Sequence, residues 1–368
     1  MSQRDQLAYH ATVEEYERAA DALHQALHAG KEKARWRYKW GHPRFRGQSI
    51  AEVRTATLDL DDARQVIACE YSFEHWNDLV AFAGEMRNAG EAARFEAAVE
   101  AVVAGEEGAV KQMLAGHPEL VRARSMRRHH ATLLHYLGAN GVESSRQKTP
   151  ANAVTMMRLL LDKGAEAEAL ADMYGQKCTT MSMLVSSCHP ANAGLQIALA
   201  ETLLDYGAAL DGRGSAWQSA VLTALKFGYL DTAKALAKRA GGVDDLLAAA
   251  GLGQVANAKR LLEHADEATK QGALALAAQH GQTEIVRLLL DGGADPNRYN
   301  PEGFHSHSAP LHQAVAAGHL EVVRLLLDRG ARLDLRDKIY DGTPLGWAEH
   351  CNQPAIAAYL HEQSGKGG

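Results

Sequence analysis

Two polar segments hold the side chains best suited to grip a ligand. The first, Val142 to Ala153 (VESSRQKTPANA), carries Glu143, Arg146, Gln147 and Asn152, with Asn140 just ahead of it. The second, His189 to Leu195 (HPANAGL), carries His189 and Asn192, and both contain Pro-Ala-Asn. A guanidinium such as that of Arg146 makes paired hydrogen bonds to a carboxylate or phosphate, so an anionic small molecule is the ligand these residues suggest. If the chain is an enzyme, His135 and His189 are the groups able to move protons near neutral pH. No G-x-S-x-G, H-E-x-x-H, phosphate-binding loop or dinucleotide fingerprint is present. No catalytic residue is therefore assigned, and the sequence leans away from an enzyme.

Other features invite chemistry and have plainer readings. There are 18 histidines, but a zinc site needs three or four converging ligands. His305 and His307 stand i, i+2 in NPEGFHSHSAP with no Cys or acidic partner close in sequence, so no metal and no cofactor is expected. Cys188-His189 is adjacent only along the chain, and reads as packing. Residues 31–46, KEKARWRYKWGHPRFR, hold seven Lys or Arg against one Glu, with Trp36, Tyr38, Trp40 and Phe45 interleaved. Alternation over 34–40 sets aromatics on one side and cations on the other. Such an arm suits single-stranded nucleic acid or a phosphorylated ligand. It equally suits aromatics packed inward with solvated cations. A net charge of -6 gives no general pull towards nucleic acid and favours the second reading. Arg122, Arg124, Arg127 and Arg128 are expected to extend this basic patch.

The elements that must position these residues repeat. Residues 310–337, PLHQAVAAGHLEVVRLLLDRGARLDLRD, align without gaps on 273–300, ALALAAQHGQTEIVRLLLDGGADPNRYN. Each has a short apolar helix, a turn glycine (Gly318, Gly281), a longer Leu-rich helix and a closing Gly-Ala. The glycine suits a helix stop with positive φ, and the i, i+3, i+4 apolar spacing gives each helix one buried stripe. These motifs resemble the ankyrin repeat, whose pattern contains T-P-L-H-x-A-A and L-L-L-x-x-G-A. Weaker copies run from 97–121 through 343–360, about eight units over 95–365. The resemblance implies an all-α ankyrin-repeat solenoid of irregular repeats, and a protein that presents a concave surface to a protein partner. His135 and His312 hold the T-P-L-H position, where the imidazole is expected to bond a neighbouring finger's backbone.

Spacing within the repeats exposes the irregularities. Gly318 precedes Arg324 by six residues, whereas Gly141 precedes Arg158 by seventeen and Cys188 precedes Glu201 by thirteen. Insertions near 142–153 and 189–195 thus fall at one topological position in adjacent repeats, and their prolines are expected to start the second helix early. Residues 1–94 read as a helical cap. Within it, 60–79 is similar to a segment of the form D-A-x-x-V-I-A-x-E-Y-G-F-x-S-W found ahead of bacterial ankyrin repeats, with departures at Ser72 and His75. Residues 95–368 read as the array. Partner contacts are expected at the fingers (Arg127, Tyr174, Trp217, Tyr299, His305, Tyr340) and at Asn140 and His280. The alternatives are a small-molecule pocket built from the insertions and, more weakly, nucleic acid on the arm. Four cysteines without C-x-x-C spacing point to a reducing, cytoplasmic setting. No apolar run reaches membrane-spanning length. The first residues lack the basic and apolar stretches of a secretory leader, and a capped array is expected to be a monomer.

Overall fold

A computed structural model describes residues 11–211 and 219–366. The chain divides into two compact units, one ending at Ala208 and one carrying the residues from Ser219 onward. Among the described residues, no helix is long and apolar enough to cross a membrane.

The described residues of the first unit begin with five α-helices: α1 (Val13–His28), α2 (Glu32–Gly41), α3 (Ile50–Thr55), α4 (Leu60–Glu70) and α5 (Trp76–Arg87). A capping box starts α1, in which Glu15 accepts from the Thr12 amide at 2.7 Å and Thr12 accepts from the Glu15 amide at 3.3 Å. Tyr16, Leu23, Tyr38, Phe45, Val66, Ile67, Phe73 and Phe82 close the core of this bundle. The basic-aromatic arm is a helix rather than an alternating strand. Its buried residues are Ala34 and Tyr38, one turn apart, and Lys39, while Trp36 and Trp40 project outward. Gly41 permits the crossing of α2 over α4, because a Cβ there would lie 2.9 Å from Val66 Cγ1. The departures at Ser72 and His75 fall on turns. Ser72 takes φ 67°, the left-handed region that the motif's glycine enters without strain. His75 is the N-cap of α5, where the Asp78 carboxylate accepts its backbone N–H at 3.1 Å.

Helix pairs follow. The first unit holds α6 (Glu91–Ala104) with α7 (Glu107–Gly116), then α8 (Leu133–Gly138) with α9 (Ala153–Asp162). Its third pair is α10 (Thr180–Leu184) and α12 (Gln196–Asp205), with α11 (Cys188–Asn192) inserted between them. One finger is a hairpin, β1 (Leu170–Met173) with β2 (Gln176–Thr179), antiparallel, Leu170 opposite Thr179. Tyr174 (φ 55°) and Gly175 (φ 76°) make its two-residue turn, as a tight hairpin of this hand requires. The prolines of the two insertions act differently from one another. Pro150 lies in the turn ahead of α9, whereas Pro190 sits inside the short α11 and leaves the second helix to begin after Gly194 (φ 69°).

The second unit holds five pairs. They are α13 (Ala220–Lys226) with α14 (Leu230–Arg239), α15 (Leu246–Leu252) with α16 (Val255–Leu262), and α17 (Glu267–Gln279) with α18 (Thr283–Asp291). Then come α19 (Pro310–Ala316) with α20 (Leu320–Asp328) and α21 (Pro344–His350) with α22 (Pro354–Lys366). Leu274, Ile285, Leu289, Leu311, Val322, Leu326 and Leu360 form one continuous apolar seam. Each pair covers the stripe its neighbour leaves bare, which is how a stack of repeats becomes stable. Among the described residues the fold is all-α, eight helix pairs following a helical cap. The turn glycines behave as their spacing predicts, Gly281 at φ 70° and Gly318 at φ 81°. At Gly281 a Cβ would lie 2.6 Å from the His319 ring of the next repeat.

Candidate functional site

The first insertion folds back onto helix α6. Arg146 is buried, donates through Nε to Glu100 Oε1 at 2.8 Å, and pairs with Glu96 through Nη1. Glu143, also buried, pairs with Arg127 and lies 3.4 Å from His129 Nε2. Arg127 is fully buried. It pairs with Glu96 at 3.3 Å, donates to the Tyr71 carbonyl at 2.8 Å and lies over the rings of Phe73 and Phe82. One guanidinium therefore joins the cap, α6, the finger at 122–131 and the insertion. Burial works against the Arg127 charge, but Glu96 and Glu143 outweigh it and raise its pKa. Burial also opposes the Glu143 charge, yet the hydrogen bond from His129 and the charges of Arg127, His129 and Arg146 bring its pKa down to about 2.

This overturns two sequence expectations in physical terms. Arg146 is assigned above to an anionic ligand, and its guanidinium is instead closed onto protein carboxylates. Arg127 is assigned to a partner-facing finger, and it lies in the interior. Two acids on α6 sit beneath the insertion, and a buried charge left unpaired costs several kcal/mol, on the order of 3–5. The arginine cluster also disperses rather than extending the arm. Arg122 donates to the Gly164 carbonyl (3.0 Å) and Arg124 to the Leu170 carbonyl (2.6 Å).

Above this network lies a cleft of about 340 Å³. Cys69 to Ser72 at the end of α4 make one wall, and Gly141 to Ser144 with Gln147 make another. Arg128 and Tyr174 close the remaining sides. The backbone N–H of Arg128 donates to the Ser72 carbonyl at 2.8 Å, which fixes finger to cap. The Tyr174 hydroxyl donates to Asn140 Oδ1, while Asn140 Nδ2 donates to Ser186 Oγ at 2.8 Å. Gln147 Nε2 donates to the Val142 carbonyl at 2.7 Å. Of the residues picked out in the sequence, Glu143, Gln147 and Tyr174 line the cleft and Asn140 braces it. The cap wall and Arg128 were not assigned to any pocket. The cap wall lies inside the 60–79 segment already singled out, but only its contact with the insertion gives it a part here.

The family model described as "Ankyrin repeat" matches residues 307–338, and that described as "Ankyrin repeats (3 copies)" matches residues 244–300. The chain carries ankyrin repeats over residues 244–338. No curated protein matches it. Ankyrin repeats generally mediate contacts between proteins.

The ankyrin turns are tied to one another by a ladder of hydrogen bonds, and several candidate residues belong to it. Gln282 Nε2 donates to the Gly251 carbonyl (3.1 Å), His319 Nε2 bonds the Gln279 carbonyl (3.0 Å) and Gln353 Nε2 donates to the Ala316 carbonyl (3.3 Å). His280 does the same to the Leu225 carbonyl at 2.8 Å. In the first unit the rungs are Asn152 to the Gly105 carbonyl (2.9 Å) and Ser187 to the Ala139 carbonyl (2.8 Å). The insertion thus returns Asn152 to the place where a regular repeat puts its turn residue. His135 and His312 sit in their ankyrin helices as the motif implies. Each ring accepts from its own N-cap amide (3.2 and 3.4 Å) and bonds the next finger, at the Cys178 carbonyl (3.4 Å) and the Gly342 carbonyl (3.3 Å). Burial pushes the His135 pKa down to about 4.

The remaining candidates are scattered. His189 is half-buried and Asn192 exposed, both on α11. The Tyr299 hydroxyl donates to the Arg336 carbonyl (2.6 Å), and His305 Nε2 bonds the Lys226 carbonyl (3.1 Å). Tyr340 is 77% exposed, beside Ile339 at 62%. Trp217 lies outside the described residues. No group of three or more His, Cys, Asp or Glu converges to hold a metal among the described residues.

Proposed function

We propose that the chain is a binding protein whose ankyrin fingers grip a protein partner, and that Ile339 and Tyr340 are a principal anchor. The observation that carries this is a rigid loop displaying apolar side chains. Asp337 accepts from the backbone N–H of Ile339 (2.9 Å), Tyr340 (2.7 Å) and Gly342 (2.8 Å), and from Trp347 Nε1 (3.0 Å). A buried carboxylate thus holds the loop in one shape while two large side chains stand in water. An anchor already ordered loses little entropy on binding, and aromatic anchors carry most of the energy at protein interfaces. The four unpaired cysteines fit a reducing compartment such as a bacterial cytoplasm, and we read the chain as a monomer there.

The test is affinity capture from the source organism, followed by titration of the purified captured protein. Ile339→Ala/Tyr340→Ala is expected to weaken that complex at least tenfold without lowering the melting temperature. Equal affinity of the variant would reject this anchor.

A second reading rests on the cleft. Its volume suits a small molecule, and Arg128, Gln147 and Tyr174 are polar groups able to orient one. Arg128, rather than the paired Arg146, is the cation to delete in a thermal-shift screen of metabolites. A ligand-induced rise in melting temperature that Arg128→Ala abolishes would support it.

A further inference from the structure

The cap carries a feature that the repeats do not explain. Trp36 and Trp40 stand one helical turn apart on α2, 44% and 74% exposed. Their rings stack, with centroids 6.2 Å apart and planes 16° from parallel. Lys39 Nζ sits 4.4 Å from the Trp40 ring and donates to the Phe45 carbonyl at 3.3 Å. Lys31, Arg44 and Arg46, on the same 31–46 segment, are exposed. Glu32, the one acid in residues 31–46, is already engaged by Arg35 and Arg54. The helix beneath is held firmly. Ala34 and Tyr38 are buried in the cap, and Arg37 makes a bidentate pair with Glu70 (2.9 and 2.7 Å).

Isolated exposed apolar side chains are ordinary, but two stacked tryptophans on an immobilised helix are a ready-made anchor. The local charge decides what they anchor. The ridge is cationic, while the whole chain has 45 acidic against 39 basic residues. A long polyanion would reach only the few exposed cations of this face and would meet repulsion elsewhere, so it gains little from phosphate contacts. A short segment needs only the ridge itself.

We propose that the Trp36–Trp40 ridge of α2 docks an acidic peptide segment of a protein partner, with one or two apolar side chains on the tryptophans and flanking carboxylates on Arg44 and Arg46. This surface is separate from the finger loop at 337–342 and stands whether or not that loop binds.

The test selects a displayed random peptide library against the full-length protein. Dye-labelled copies of the selected peptides are then measured by fluorescence anisotropy against wild type, Trp36→Ala/Trp40→Ala, Trp40→Ala alone and Arg44→Glu/Arg46→Glu. Unchanged circular dichroism and melting temperature establish that each variant folds. The expected result is a class of peptides rich in Asp and Glu around an apolar anchor. They should bind at least tenfold more weakly to the double tryptophan variant and at least threefold more weakly to the charge reversal. Oligothymidylate and phosphatidylserine vesicles should bind the ridge at least tenfold more weakly than these peptides. The proposal is overturned if no selected peptide depends on the tryptophans, if the dependent ones are not acidic, or if either polyanion binds the ridge more tightly.

Discussion

The two compact units meet the same stacking requirement with different interiors. In the second, the four helix pairs from α15 to α22 join across Leu, Val and Ala faces. Among its described residues, Asp337 is the sole buried Asp, Glu, Lys or Arg. In the first, Arg127, Arg146, Glu96, Glu143 and Lys39 are all buried. The difference follows from what must be joined. Regular repeats present matching apolar stripes, so nearest-neighbour packing suffices. The first unit joins a cap, a finger and an insertion of unlike shape, which share no stripe. There a guanidinium with several donors reaches several segments at once. An apolar seam loses stability in proportion to the atoms removed. A buried ion network fails when one partner is lost, because the others keep their desolvation cost.

The strongest attempt to break this contrast is Arg127→Ala. It strands the Glu96 and Glu143 carboxylates and is expected to cost the first unit up to about 5 kcal/mol. Hydrogen exchange should show protection lost over residues 91–162 and retained over 267–328. A loss under about 1 kcal/mol would mean that the network is not desolvated and that the two interiors are energetically alike.

Acid sharpens the contrast. The His135 pKa in the folded state, about 4, lies below its ordinary value near 6.5, because burial favours the neutral ring. Its stabilisation is therefore fully present above pH 6.5 and is lost as pH falls towards 4, by up to roughly 3 kcal/mol. Denaturation of the first unit should show that slope, and His135→Gln should flatten it. The matching His312 is also lowered by burial, but the Gly342 carbonyl and the Asp337 charge pull it back up. His312→Gln should accordingly flatten the slope of the second unit less than His135→Gln flattens that of the first. Equal flattening would remove this distinction.

The smallest effect belongs to the surface. Arg329 meets Asp291 at 2.6 Å with both side chains solvated. Arg329→Ala is expected to change stability by less than about 0.5 kcal/mol in a urea titration. A larger loss would show that the second unit also depends on ion pairs.

How much was legible beforehand varied with distance along the chain. The Gly281 and Gly318 turns and the T-P-L-H imidazoles are local patterns, and each appears where its spacing puts it. The arm illustrates a local ambiguity. Alternation over 34–40 sets aromatics opposite cations, but Ala34 and Tyr38 one turn apart are what the core takes up, so the segment is helical. The cleft was half legible. Glu143, Gln147 and Tyr174 carry binding expectations from the sequence, whereas Arg128 is read there only as part of a basic patch and Cys69–Ser72 only as part of the 60–79 segment, because they meet the insertion only after folding.

The sequence alone determined the all-α ankyrin architecture, since apolar periodicity and turn glycines act over four to ten residues and need no distant partner. Only the tertiary structure decided that Arg146 and Arg127 point inward while Trp36 and Trp40 point outward. An arginine poised for a ligand and one buried on a carboxylate carry the same side chain. What separates them is Glu96 and Glu100 on α6, some fifty residues from Arg146 along the chain and within about 3 Å of it in the fold.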